Sequence, residues 1–353
     1  MKIVHDISVT SAQSGHGAVA WDLPWASPLT QAAPALVMDF AAGIYGSGGL
    51  KSNLASELNL TRSSAASYIN SSGALASASI DQPRITHDPS SLAPQGLLLE
   101  PARTNLIVNS DTPAGQVVTV NAAEHFLSFY GSGTVTATGA HVGTYDGAAA
   151  FPDQTLVSFT PTAGDLTLSF SGDVTAPQLE EGASASSYFA TSGVAGTRDD
   201  DDPSIALGAW YSQTSGTLVF SGTLLYAAAN DRLIEMEAGD TSTRLSILWN
   251  SVLGKPQFQV WNAGTLQAAI APSGNSIALG DPFRVAISYA ADDFAISMNG
   301  SAAATDTLGT LPTPINTLRL GRSIWGAQGL TLAESVLYYP ARLADAELQG
   351  LSA

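Results

Sequence analysis

Polar and apolar residues alternate with a period of two along most of the chain, and helical periodicity is nearly absent. In residues 244–249, Leu245, Ile247 and Trp249 fall on one face. In residues 283–289, Phe283, Val285, Ile287 and Tyr289 point one way and Arg284, Ala286 and Ser288 the other. Phe294, Ile296 and Met298 repeat the pattern, and Asn299-Gly300 follows as a hairpin-turn dipeptide. Period-two alternation is the signature of half-buried strands. Strands this short, broken by Gly, Asn, Asp and Ser, predict an all-β chain of several antiparallel β-sandwiches. Residues 318–321 read as a strand ending in Gly321, and residues 330–339 as another closed by Pro340. One short helix is predicted over residues 343–351. Asp345 and Glu347 sit in its first turn, where carboxylates suit the positive end of the dipole, and Leu343, Leu348 and Leu351 pin it down.

Four segments follow from this pattern. Residues 1–38 lack a clear period and hold Pro24, Pro28 and Pro34 with Trp21 and Trp25, as expected of an arm that orders against a partner. Residues 39–108 carry short strand-like pieces with many small residues. Residues 109–203 form a β-rich middle unit that ends in Arg198, Asp199, Asp200, Asp201, Asp202 and Pro203, read as an acidic linker. Residues 204–353 form the most regular unit.

Composition narrows the function. The chain has 353 residues, 45% of them hydrophobic, enough to bury a core of several domains. Its 13 basic and 30 acidic residues give a net charge of −17, so a basic footprint for nucleic acid is missing. No apolar run approaches the ~18 residues of a membrane span, and no signal peptide is visible after Met1. With no Cys, disulfides, thiolate metal sites and thiol nucleophiles are excluded.

The motifs of the last unit carry a resemblance. Arg-Val-Ala-Ile-Ser-Tyr at 284–289, Met-Asn-Gly at 298–300, Leu-Arg-Leu-Gly at 318–321, Val-Leu-Tyr-Tyr-Pro at 336–340 and Asp-Ala-Glu-Leu at 345–348 resemble the concanavalin-like, laminin-G-like jelly-roll domains. Ala344 stands where that family usually has a Ser cap, a loss of about 1 kcal/mol that leaves the fold intact. Upstream, Gly-Leu-Leu-Leu-Glu-Pro-Ala-Arg-Thr-Asn-Leu at 96–106, Leu-Thr-Arg-Ser-Ser-Ala-Ala-Ser-Tyr at 60–68, Gln-Leu-Glu-Glu-Gly at 178–182 and Thr-Arg at 197–198 are similar to segments of head-spike and fibre proteins of tailed phages and gene transfer agents. The resemblance implies a protein of the surface of a virion or phage-like particle, made in the bacterial cytoplasm. Residues 1–38 would anchor it to other virion proteins, and the C-terminal jelly roll would meet host cell-surface polysaccharide. A homo-oligomer is expected for such an assembly, with avidity raising the effective affinity.

Candidate chemistry fits binding better than catalysis. Indole rings stack on the C–H faces of sugars. Trp325 lies in a loop-like stretch between Gly321 and Gly326, Arg322 beside it can bond a sugar hydroxyl or an acidic sugar, and Trp261 lies opposite Phe258 and Val260 in the alternation. These three are the candidate carbohydrate-binding residues. Glu235 and Glu237 share a strand face, as the paired acids of a glycanase do. The third acid of a Glu-x-Asp-x-Glu signature is missing, because Gly239 and Asp240 make a turn, so the pair reads as a solvated face and no catalytic residue is expected. No cofactor is expected. Calcium is the one candidate ion, at residues 199–202, at Asp292 and Asp293, or at Asp281, although four successive acids lack the alternating spacing that wraps an ion. His5, His16, His87, His125 and His141 form no i, i+4 pair. Arg103, Thr104 and Asn105 read as a hydrogen-bonded turn, and Arg62 and Arg84 as members of internal ion pairs. The alternatives to a glycan-binding spike are a decoration protein that binds no sugar and a capsule depolymerase. A cell-surface adhesin is disfavoured by the absence of a visible export signal or anchor.

Overall fold

The computed structural model describes residues 33–353. Almost every element is a strand, and every paired strand is antiparallel to its neighbour. No helix among the described residues is long and apolar enough to cross a membrane. Two large sheets form the main sandwich. The first runs Ala304–Asp306, Asp293–Met298, Pro282–Ala290, Ser215–Tyr226, Leu330–Tyr339, Leu36–Asp39, Ile44–Ser47 and Leu50–Ser52; Pro94–Leu99 joins it along Leu330–Tyr339 and brings Ile85–His87 with it. The second runs Thr265–Ile270, Lys255–Asn262, Arg244–Asn250, Arg232–Glu237, Thr317–Leu320, Asp202–Ala206 and Asn59–Thr61.

Between the sheets the alternation is used as the sequence predicts. Leu218, Phe220, Val285, Ile287, Phe294, Ile296 and Tyr338 from the first meet Ile234, Met236, Leu245, Ile247, Phe258, Val260, Leu318 and Leu320 from the second. Trp249 belongs to this core. The opposite face of the first sheet is covered too. Val37, Val219, Ala286, Ala295, Leu337 and Tyr339 pack with Leu343, Leu348 and Leu351, the last two on the helix Asp345–Leu351. Burial on both faces explains why Leu218, Val219 and Phe220 read as an unbroken apolar run. Glu347 accepts the Ala344 N–H at 3.0 Å, which closes the helix start without a cap side chain.

The middle unit is a smaller sandwich. Gln116–Val120, Gly164–Ser171, Thr134–Gly139 and Gly143–Asp146 face Thr155–Phe159, His125–Tyr130 and Thr175–Glu181. Leu127, Phe129, Val135, Ala137, Leu166, Leu168 and Leu179 fill the space between. Its entry and exit are tied together where Arg103–Asn105 pairs with Gly196–Arg198.

Three features of the segmentation differ from the expectation. Residues 39–108 are no separate body: Asn59–Thr61 pairs with Asp202–Ala206, and Pro94–Leu99 with Leu330–Tyr339. Alternation sets the face a residue occupies but not the strand it pairs with, and these early strands cover edges the C-terminal strands would otherwise leave open. Most of the expected arm, residues 1–32 with Trp21 and Trp25, lies outside the described residues; its last part does not. Leu36, Val37 and Met38 are fully buried in the first sheet, so they are core and not an anchor. Finally, the acidic stretch is no linker, because Asp201 is fully buried and Asp202 begins a strand.

Candidate functional site

The second sheet turns its other face outward. Arg244–Asn250 and Lys255–Asn262 form a hairpin in register, which places Arg244 directly across from Trp261. The neighbouring turn at Ala263 and Gly264 has positive φ at both residues, 48° and 79°, which suits a tight hairpin, and Gly264 donates to the Ser242 carbonyl at 2.9 Å. Asp240 holds the turn before Arg244 by accepting from the Ser242 and Thr243 N–H groups at 2.7 and 2.9 Å. Trp325 arrives from the loop between Thr317–Leu320 and Leu330–Tyr339 and is 46% exposed. That loop is closed on itself, with Ser323 bonded to Ala327 and Gly326 bonded to Ser323.

Together these residues build a stack of rings and cations. The Arg244 guanidinium carbon lies 4.8 Å from the Trp261 ring centroid and 4.7 Å from that of Trp325, and Arg232 lies 5.3 Å from Trp325. Both arginines turn Nε toward one carboxylate oxygen, Glu235 Oε2, at 3.0 Å for Arg232 and 3.7 Å for Arg244. Glu235 Oε1 accepts the Ile324 N–H at 3.0 Å and so fixes the Trp325 loop. The open side is a pocket of about 450 Å³ lined by Thr241, Ser242, Arg244, Trp261, Gly264 and Trp325. Burial lowers the affinity of Arg244 for its proton, and Arg232 adds to that effect, while Glu235 and Asp240 oppose it.

The structure therefore brings Trp261 and Trp325 together and leaves Arg322 out. Arg322 pairs instead with Asp200, a residue of the acidic stretch. The cation of the pocket is Arg244, which the alternation had marked only as an outward strand position. A sequence signal for it exists: Asn250 and Lys255 close the hairpin turn, and six residues back on either side lie Arg244 and Trp261.

Glu235 and Glu237 do share a face, but it is not solvated. Both are buried. Arg319 pairs with Glu237 and Asp202, and Glu237 also accepts the Gly239 N–H. Three cations compete for these acids in a sheet face that water scarcely reaches, which is why the strand pattern misleads here.

The acidic stretch is likewise committed. Asp201 Oδ1 meets Arg62 at 2.8 Å, Oδ2 meets Arg84 at 2.5 Å, and Oδ2 also accepts the Glu100 N–H at 2.9 Å. Glu100 takes Arg84 at 2.5 Å and the Ser187 N–H and hydroxyl at 2.7 and 2.6 Å. Burial pushes the Glu100 carboxyl up, but the Arg198 and Arg84 charges and the Ser187 bonds outweigh it and hold it at about 2. Asp200, Asp201 and Asp202 are each bound to an arginine. Asp293 pairs with Arg342, and Asp292 accepts the Gly309 N–H. No cluster of three or more His or acidic residues suited to a metal occurs among the described residues.

A larger hollow of about 540 Å³ sits beside the tie between the two sandwiches, lined in part by Arg103, Thr104, Asn121, His125 and Glu181. Its polar groups largely satisfy one another: Thr104 with Thr197, Asn121 with Glu181, and His125 with the Ala123 carbonyl. Asn105 is a fully buried brace that accepts the Ile107 and Leu179 N–H groups at 3.1 Å each.

Neither any protein-family model nor any curated protein sequence matches the chain. Among solved structures, the CBM40 domain of the Ruminococcus gnavus IT-sialidase, bound to α2,3-sialyllactose, is 15% identical, with a TM-score of 0.36 over 40% of this chain and 83% of that one. Domain 4 of AbnA, a GH43 extracellular arabinanase from Geobacillus stearothermophilus in complex with arabinotriose, is 12% identical, with a TM-score of 0.35 over 49% of this chain and 84% of that one. NanB sialidase from Streptococcus pneumoniae is 13% identical, with a TM-score of 0.34 over 41% and 26%. These likenesses are partial, and the all-β antiparallel architecture stands on the sheets described above.

Proposed function

We propose that the protein is a non-catalytic glycan-binding protein of the surface of a phage-like particle, and that it holds host cell-surface polysaccharide at the pocket of Trp261, Arg244 and Trp325. The observation that carries the reading is a guanidinium, its side chain only 7% exposed, set against two indoles at the edge of an open pocket. Exposed indole beside a hydrogen-bond donor with spare capacity suits the alternating C–H faces and hydroxyls of a sugar chain. The particle role rests on the resemblance of residues 60–68, 96–106 and 178–182 to spike and fibre proteins. Several copies on one particle would turn modest single-site affinity into firm retention.

Non-catalytic action is favoured by the state of the acids beside the pocket. Glu235 is bound through both oxygens, and Glu237 is held by Arg319 and a backbone N–H. A hydrolase needs one carboxyl free to give a proton and another free to attack or activate water.

The test is incubation of the purified chain with purified capsule polysaccharides, following retention and new reducing ends together. Retention without new ends is expected. New ends would replace this reading by a depolymerase, and neither effect by a decoration protein.

A further inference from the structure

Arg244 differs from the deeply buried Arg84 and Arg198 at its terminal nitrogens, not at Nε, which all three leave without a hydrogen bond. Its Nε has no hydrogen-bond partner and stands 3.7 Å from the one carboxylate it shares with Arg232. Among the described residues no protein group accepts from Nη1 or Nη2. With Nε turned toward Glu235 and the guanidinium carbon over both indoles, the Nη edge is what remains for the pocket that Arg244 lines. Guanidinium forks take carboxylates, and phosphates too, with two parallel hydrogen bonds, so charge must separate the two. In the buried part of the site Arg232 and Arg244 carry two positive charges against the one negative charge of Glu235, and Asp240 at the exposed rim supplies the second negative charge.

On the reading that this pocket binds glycans, we infer that it selects sugars bearing a carboxylate, with the Arg244 Nη edge as the anion fork and Trp261 and Trp325 as the walls that hold the ring beside it. One buried cation beyond its carboxylate partner, with an acid already at the rim, suits a monoanion better than a dianion. A phosphomonoester would bring up to two negative charges to a pocket whose rim already carries Asp240. The net charge of −17 repels polyanions at long range, but at physiological salt that field is screened beyond roughly 8 Å, whereas the fork acts in contact. The contact attraction of the fork therefore has only the screened remainder of that repulsion to outweigh.

The experiment measures equilibrium binding of the full chain to carboxylated polymers (polygalacturonate, alginate, hyaluronan and polysialic acid), to the same polymers after chemical reduction of their carboxyl groups, and to sulfated dextran. Wild type is expected to bind at least one carboxylated polymer tenfold or more tightly than its reduced form and than sulfated dextran. Arg244→Gln should lose that preference, falling to the affinity shown for the reduced polymer, and Arg244→Lys should keep only part of it, since it keeps charge without the fork. Thermal unfolding of both variants checks that they are folded. Equal binding of a carboxylated polymer and its reduced form, preference for the sulfated polymer, or undiminished preference in a folded Arg244→Gln would overturn the inference while leaving glycan binding in place. Binding to none of the polymers, reduced or not, would overturn the glycan reading with it.

Discussion

Two arginine–carboxylate clusters occupy this molecule, and they start from the same arithmetic. Arg62, Arg84 and Arg198 surround Asp201 and Glu100; Arg232 and Arg244 surround Glu235. Each has one more cation than anion. In the first the surplus is solvated by backbone carbonyls: Ser64, Ser79 and Gln82 for Arg62, Ser67 for Arg84, and Pro101 and Asp199 for Arg198. In the second, Arg232 reaches the Asn230 carbonyl, while Arg244 has, besides Glu235 at 3.7 Å, only ring faces and the pocket. A buried guanidinium whose terminal nitrogens all meet acceptors is architecture, and one left with terminal donors at a pocket is capacity for a ligand.

The contrast can be broken first at Asp201. Asp201→Ala strands Arg62 and Arg84 in the interior and should cost about 3–5 kcal/mol of stability, measured by denaturant unfolding. A loss below 1 kcal/mol would show that the first cluster is as open as the second.

Acid probes the same cluster. The folded Glu100 carboxyl is depressed from 4.5 to about 2, so its contribution, about 3 kcal/mol, is complete above pH ~4.5 and is lost as pH falls toward 2. Glu180, raised by burial, works in the opposite sense, gaining stability as it takes up a proton. Unfolding curves between pH 5 and 2 should therefore be flatter for Glu100→Gln than for wild type. An unchanged slope would detach Glu100 from the acid response.

Glu235→Gln sharpens the comparison. It removes a charge-assisted partner from Arg232 and weakens the anchor on Ile324, at about 2 kcal/mol, less than the Asp201 change because the freed cation borders the pocket. Glycan retention should fall with it as the Trp325 loop loosens. A cost equal to that of Asp201→Ala would erase the distinction between the clusters.

Trp325→Ala should weaken glycan retention about tenfold, or ~1.4 kcal/mol, with little change in thermal midpoint, since the side chain is 46% exposed. Unaltered retention would remove Trp325 from the site. The smallest effect belongs to Arg322→Ala. Its partly exposed pair with Asp200 should be worth under about 1 kcal/mol, and retention should not change. A fall in retention would return Arg322 to the pocket.

Much of this was legible from local pattern. The faces of residues 244–249, 283–289 and 294–298, the terminal helix and the exposed indole of Trp325 follow from alternation and from glycines flanking a loop. The acidic stretch reads as a linker because four adjacent carboxylates repel one another in an open chain. Their cations, Arg62 and Arg84, lie 139 and 117 residues earlier than the acids they meet. Arg322 is near Trp325 in sequence, whereas the loop geometry turns it to Asp200.

Sequence alone determined which way each strand residue points, because successive side chains leave an extended backbone on opposite sides whatever the strand pairs with. Tertiary structure decided which strands became neighbours. The Leu36–Asp39 strand entered the C-terminal sheet, Trp261 came to stand across from Arg244, and Asp201 was closed in while Arg244 kept its outer nitrogens open. Those outcomes depend on closing sheet edges and balancing buried charge among residues far apart in the chain, quantities that no local window contains.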